Sequence, residues 1–139
     1  MRFPNISCKI QIISEINPSE DSEKVKQSVL NVLPECEIKI DNSFITAKAN
    51  SLESLQQIYE SIQSMQSQNV FRRHLERNLN KGTTWFYLNK QAAFVNKVVL
   101  CDEANESPLG PLKVILTSSN IDGIIGLFAK PEPAKKIQS

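Results

Sequence analysis

Arg73, Arg77 and Lys81 follow one another at intervals of four residues. On an α-helix that spacing sets each cation about one turn beyond the last, so the three form a strip. Arg72 stands beside the strip, and Lys90 and Lys97 follow it. Residues 69–100 hold these six Lys/Arg against the single acid Glu76, a net of +5 in a chain whose formal net charge is +1. The flanks are acidic, with a net of −3 over 1–68 and −1 over 101–139. Cations so concentrated raise a local positive potential and can position phosphate oxygens. An ordinary solvated helix face would carry the same strip.

The second group is Asn89-Lys90-Gln91, at the end of the aromatic run TTWFYL. In a strand Trp85 and Tyr87 point one way, Phe86 and Leu88 the other. Exposed rings beside cations can stack on unpaired bases; core or dimer-interface packing is the alternative. Asn and Gln offer both donors and acceptors, and Lys a mobile cation. Asn89 is equally placed to cap a short helix over 89–95. The expected RNA contacts are therefore Arg72, Arg73, Arg77, Lys81, Tyr87, Asn89, Lys90, Gln91 and Lys97, gathered on one surface.

Other chemistries find little here. His74 is the only histidine, and no Ser, Cys or carboxylate stands at a spacing that pairs with it. A structural histidine and a non-enzymatic protein are expected, with no catalytic residue, metal or cofactor. Cys8, Cys36 and Cys101 are odd in number and lie among Ile, Val or Leu, which reads as free, buried thiols. No apolar run approaches the roughly 20 residues that span a bilayer. The start MRFPNISCK lacks a signal segment, so a cytoplasmic protein without a membrane partner is expected.

The apolar spacing around these residues defines the strands and helices that carry them. Ile6, Cys8, Ile10 and Ile12 alternate with polar residues, a strand with one buried face. After Asn17-Pro18, Ser19 can cap a helix carrying Val25, Val29 and Val32 or Leu33. CEIKI and FITAKA around Asp41-Asn42-Ser43 form a hairpin. Asn50 or Ser51 caps a second helix, with Glu53 completing a capping box. A third helix spans 69–80 with Phe71, Leu75 and Leu79 inward, ended by Gly82. Extended structure resumes at 98–101. The turn Ser107-Pro108-Leu109-Gly110-Pro111, a strand at 112–116 and a short helix with Ile121, Ile124, Ile125 and Phe128 complete the domain. Hairpins alternating with helices indicate α+β: a two-layer sandwich, its mostly antiparallel sheet covered by helices on one face and open on the other. Residues 1–130 form one domain and 131–139 a flexible tail.

The stretch FYLNKQAAFVNKVVLCDEANESPLGPLKVIL resembles the signature of an uncharacterised archaeal family of predicted RNA-binding proteins, and NPSEDSEKVKQSVLNVLP resembles that family's first strand–helix junction. The likeness covers most of residues 6–117. It implies a fold like that of the large-subunit ribosomal protein that binds five-S rRNA, and a link to RNA-processing machinery such as the exosome. It supplies no catalytic residue. Asn96 stands where the family pattern has glycine, and Asn tolerates the left-handed turn better than most residues. The function expected is an RNA-binding module for structured or ribosomal RNA. The alternative is an assembly subunit that forms a homodimer through its open face or an edge strand.

Overall fold

The computed structural model describes residues 4–106 and 108–129. Ser107 and the proposed tail 131–139 lie outside the described residues. Six strands form one antiparallel sheet in the order β2-β3-β1-β6-β4-β5. They are β1 (Lys9–Glu15), β2 (Glu37–Ile40), β3 (Phe44–Ala49), β4 (Thr83–Asn89), β5 (Leu100–Cys101) and β6 (Pro111–Thr117). Five helices accompany them: α1 (Ser22–Val32), α2 (Gln56–Ser64), α3 (Gln68–Arg77), α4 (Lys90–Phe94) and α5 (Ile121–Ala129).

Alternation in the strands decides where the core lies. Ile10 and Ile12, Ile45 and Ala47, Phe86 and Leu88, and Val114 and Leu116 are buried, whereas their neighbours along each strand are half-buried or exposed. The buried set joins Val25 and Val29 of α1, Ile58 and Tyr59 of α2, Phe71 and Leu75 of α3, Ala93 of α4 and Ile124 and Phe128 of α5 in one cluster. All five helices thus cover one face, and α+β with an open opposite face is the observed class. Phe71 packs edge-on against Phe86, with ring centroids 5.1 Å apart, and lies nearly parallel to Phe128.

Several local readings change. Asp21, not Ser19, caps α1, its carboxylate accepting from the Glu23 amide at 3.0 Å. This leaves Glu20 outside the helix and free to turn inward. Ser51 accepts from the Glu53 amide and opens a single 3₁₀ turn before α2, so Glu53 is capped and does not itself complete a capping box. Helix α3 stops at Arg77, because Asn78 leaves helical geometry and donates its side-chain amide to the Trp85 carbonyl at 2.8 Å. Leu79 is consequently exposed, and His74 takes the buried place beside Phe71 and Leu75. Asn80 and Thr83 exchange backbone hydrogen bonds around Lys81 and Gly82, both at positive φ (51° and 84°). This is the two-residue turn geometry that suits glycine at its second position. Asn96 also has positive φ (64°), as its turn requires. All three thiols are free; Cys8 and Cys101 are buried, Cys36 only partly, and burial pushes Cys8 up to about 11.

Candidate nucleic-acid interface

The signature residues meet, but around a buried ion pair. Lys90, first residue of α4, is 2% exposed. Its Nζ donates to Glu20 Oε1 at 3.0 Å, to the Glu15 carbonyl at 2.8 Å and to the Leu109 carbonyl at 2.9 Å. Asn17 completes the cluster. Its backbone amide donates to Glu20 Oε1, and its Nδ2 donates both to that oxygen and to Leu109 O, each at 2.9 Å. Burial opposes ionisation of Glu20, yet the donors on Asn17 and Lys90 outweigh it and hold its carboxyl below the ordinary range. The three donors of the ammonium are used inside the protein. Lys90 is therefore corrected from an RNA contact to a structural clasp between the β1–α1 junction, α4 and the loop before β6.

Asn89 is the N-cap of α4, its Oδ1 accepting from the Ala92 amide at 2.8 Å. Gln91 is exposed on the first turn of α4 and borders a hollow of about 310 Å³ with Lys24 and Phe94. Lys97 is exposed and lines a groove against Gln57, Glu60 and Ser64 of α2. Tyr87 lies across the sheet from the helices, its ring 4.9 Å from that of Trp85.

The α3 cations remain on the helical side. Arg72, Arg73, Arg77 and the turn residue Lys81 are all exposed. Among the described residues no carboxylate lies within ion-pair distance of Arg72, Arg73, Lys81 or Lys97. Arg77 Nη2 donates to His74 Nδ1 at 3.3 Å, and His74 Nε2 meets Asp102 Oδ1 at 3.1 Å. The arginine makes Nδ1 the acceptor, so Nε2 carries the ring proton toward Asp102. Burial first, and the Arg77 charge second, hold His74 below its usual pKa; Asp102 opposes them and is outweighed. A neutral histidine suits a joint between α3 and the end of β5.

The residues proposed as one surface therefore divide. The α3 strip and Lys97 flank the β5 side of the helical layer: Asp102 touches α3 and lies five residues beyond Lys97. An extended chain of that length spans at most about 17 Å. Tyr87 is separated from them by the sheet, and Lys90 is inside. The sequence reading missed the cations of the open face. Lys9, Lys39 and Lys48 are exposed there, and Lys113 Nζ sits 4.6 Å from the Trp85 ring centroid. Their signal was present as lysine at alternate strand positions, but register is needed to bring them together.

A family model described as RNA binding matches residues 9–117. The chain is 36% identical over 124 residues to a UPF0201 protein of Methanothermobacter thermautotrophicus, covering 87% of this chain and 90% of that one. It is 34% identical over 133 residues to a UPF0201 protein of Sulfurisphaera tokodaii, with 93% and 91% covered. Among solved structures, a UPF0201 protein from Methanococcus jannaschii superposes with TM-score 0.75 at 29% identity, covering 88% of this chain and 99% of that one. Another, described as an uncharacterised UPF0201 protein, gives 0.77 at 24% identity, with 93% and 99% covered, a likeness of fold. Among the described residues no helix is long and apolar enough to cross a membrane.

Proposed function

The chain belongs to the archaeal UPF0201 family, and on that premise we propose that it is a non-enzymatic RNA-binding module. The observation that carries the proposal is the run of exposed cations on α3 and the turn after it, which no carboxylate pairs among the described residues and which lies within the segment matched by the RNA-binding family model. Arg72, Arg73, Arg77 and Lys81 hold phosphates, and Lys97 extends the track along the β5 side. Guanidinium groups free of internal carboxylates suit this role, because no protein ion pair has to be broken before phosphate binds. Arg77 reaches phosphate from its contact with neutral His74. The preferred ligand is structured RNA of the ribosomal or processing kind, bound through its backbone.

Filter binding to a structured RNA at two salt concentrations tests this reading. Binding falls steeply between them, and Arg73→Ala with Arg77→Ala weakens it at both. No binding at low salt, or an unchanged affinity in the double variant, rejects it.

A second reading rests on β2. This edge strand and the following β3 expose Ile40 (41%) and Phe44 (43%). An open edge bordered by apolar side chains can pair with a second copy. Light scattering at high concentration decides: a dimer supports an assembly role, and a monomer counts against it.

A further inference from the structure

We propose that the open sheet face is a second RNA site, one that takes unpaired bases on Trp85 and Tyr87 with their phosphates held by Lys113 and Lys48. This inference rests on the RNA-binding reading and adds a ligand class to it: a single-stranded segment.

Register builds the site. Lys113 of β6 stands directly opposite Tyr87 of β4 and, on its other side, Ile13 of β1. The adjoining row runs from Trp85 through Ile115 and Gln11 to Lys48. Strands lie about 4.8 Å apart, so Trp85 and Lys48, three strands distant, are roughly 14 Å apart across the face. An aromatic platform with Lys113 thus lies at one side and Lys48 at the other, with the side chains of Ile115 and Gln11 between.

Chemistry selects the occupant. Four lysines share this surface with Glu15 and Glu37, and Asp41 borders it beside Lys39 and Lys48; no ion pair joins these groups among the described residues. A hydrophobic protein partner would have to desolvate those ammonium groups, whereas a nucleic-acid backbone neutralises them. The tilted Trp85–Tyr87 pair, at an interplanar angle of 54°, leaves each ring a separate face. Lys113 Nζ lies over the ring face of Trp85. A base that stacks on Trp85 displaces this ammonium, which then reaches the adjacent phosphate. Base stacking tolerates any base, so the site selects unpaired strand over duplex and carries little sequence preference.

Trp85 is the only tryptophan and reports on its own site. Oligouridylate is added while Trp85 fluorescence is followed, with a blunt RNA duplex of equal length as the control. The single strand quenches the emission and the duplex does not. Tyr87→Ala weakens single-strand binding by about tenfold. Lys113→Ala, which spares the rings, lowers the salt slope by about 0.7. Both variants keep duplex binding, and circular dichroism checks their folding. RNA binding that depends on Arg73 and Arg77 but leaves Trp85 emission and both variants unchanged overturns the second site alone. Loss of all RNA binding in the native protein overturns the module as well. A dimer that Tyr87→Ala dissociates, with single-strand affinity unchanged, assigns the face to a second copy instead.

Discussion

Lys90 and Glu20, 70 residues apart in the chain, form a 3.0 Å ion pair in which both side chains are nearly buried (3% and 9% exposed). The pair ties together three segments, and its ammonium also donates to the Glu15 and Leu109 backbone carbonyls. Its role in the family signature is thus architectural, and the consequences differ from those of a surface contact.

Lys90→Ala leaves the buried Glu20 carboxylate without its counter-ion and takes one donor from each of the Glu15 and Leu109 carbonyls, and should cost about 3–5 kcal/mol. Lys90→Ala combined with Glu20→Gln should recover part of that loss, measured by urea unfolding. The folded pKa of Glu20 is depressed, so its contribution is present above the ordinary value of about 4.3 and is lost as pH falls through the folded value. Glu20→Gln should flatten the acid limb of the stability curve in that window.

His74 predicts a second, milder pH dependence. Its folded pKa is lowered, so its contribution is full above about pH 6.5 and declines as pH falls through the folded value. Asp102 rescues little, because its side chain is 74% exposed and solvent screens the pair. His74→Gln should reduce the loss of thermal stability between neutral pH and the acid side of that range. Asp102→Asn should change it little.

The arginines predict a salt signature. If Arg73 and Arg77 each hold one duplex phosphate, converting both to alanine lowers the slope of log affinity against log salt by about 1.8. Folding should change little, because both side chains are exposed, neither pairs with a carboxylate among the described residues, and Arg77 gives up only its hydrogen bond to His74. Fluorescence anisotropy of a labelled RNA across a salt series measures the slope directly.

Asn89 should behave as a cap. Asn89→Ala removes the acceptor for the Ala92 amide and should cost about 1 kcal/mol. Asn89→Asp retains an acceptor and should keep most of the stability. RNA affinity should follow stability alone, since the side chain already has a partner.

Gly82 closes the turn between α3 and β4 at φ 84°, and a Cβ there would approach the Ser118 carbonyl to 3.1 Å. Gly82→Ala should destabilise by about 1–2 kcal/mol through backbone strain and that contact. The neighbouring Lys81→Gly, also at positive φ, should relieve strain and leave stability equal or higher while removing one cation from the α3 track.

Local pattern determined most of the elements. Alternation in isoleucine-rich strands, the valine stripe of α1 and the capping role of Asn89 depend on neighbours within a few residues, and each was legible from the chain; the left-handed turn at Asn96 was implied by the family resemblance. The facing of Trp85 and Tyr87 away from Phe86 and Leu88 was legible for the same reason, since side chains alternate along any strand. Tertiary structure decided the rest. Whether Lys90 is a free cation or a buried clasp depends on Glu20 and Leu109, and nothing local to residues 89–91 announces either partner. Leu79 and His74 exchanged places because Asn78 found the Trp85 carbonyl and ended the helix early. The division of the cations between two faces followed from strand order, which brings Lys48 and Lys113 to Trp85's side of the sheet and leaves the α3 arginines on the other. Charge along a chain is a property of sequence; which charges share a surface is set by long-range pairing.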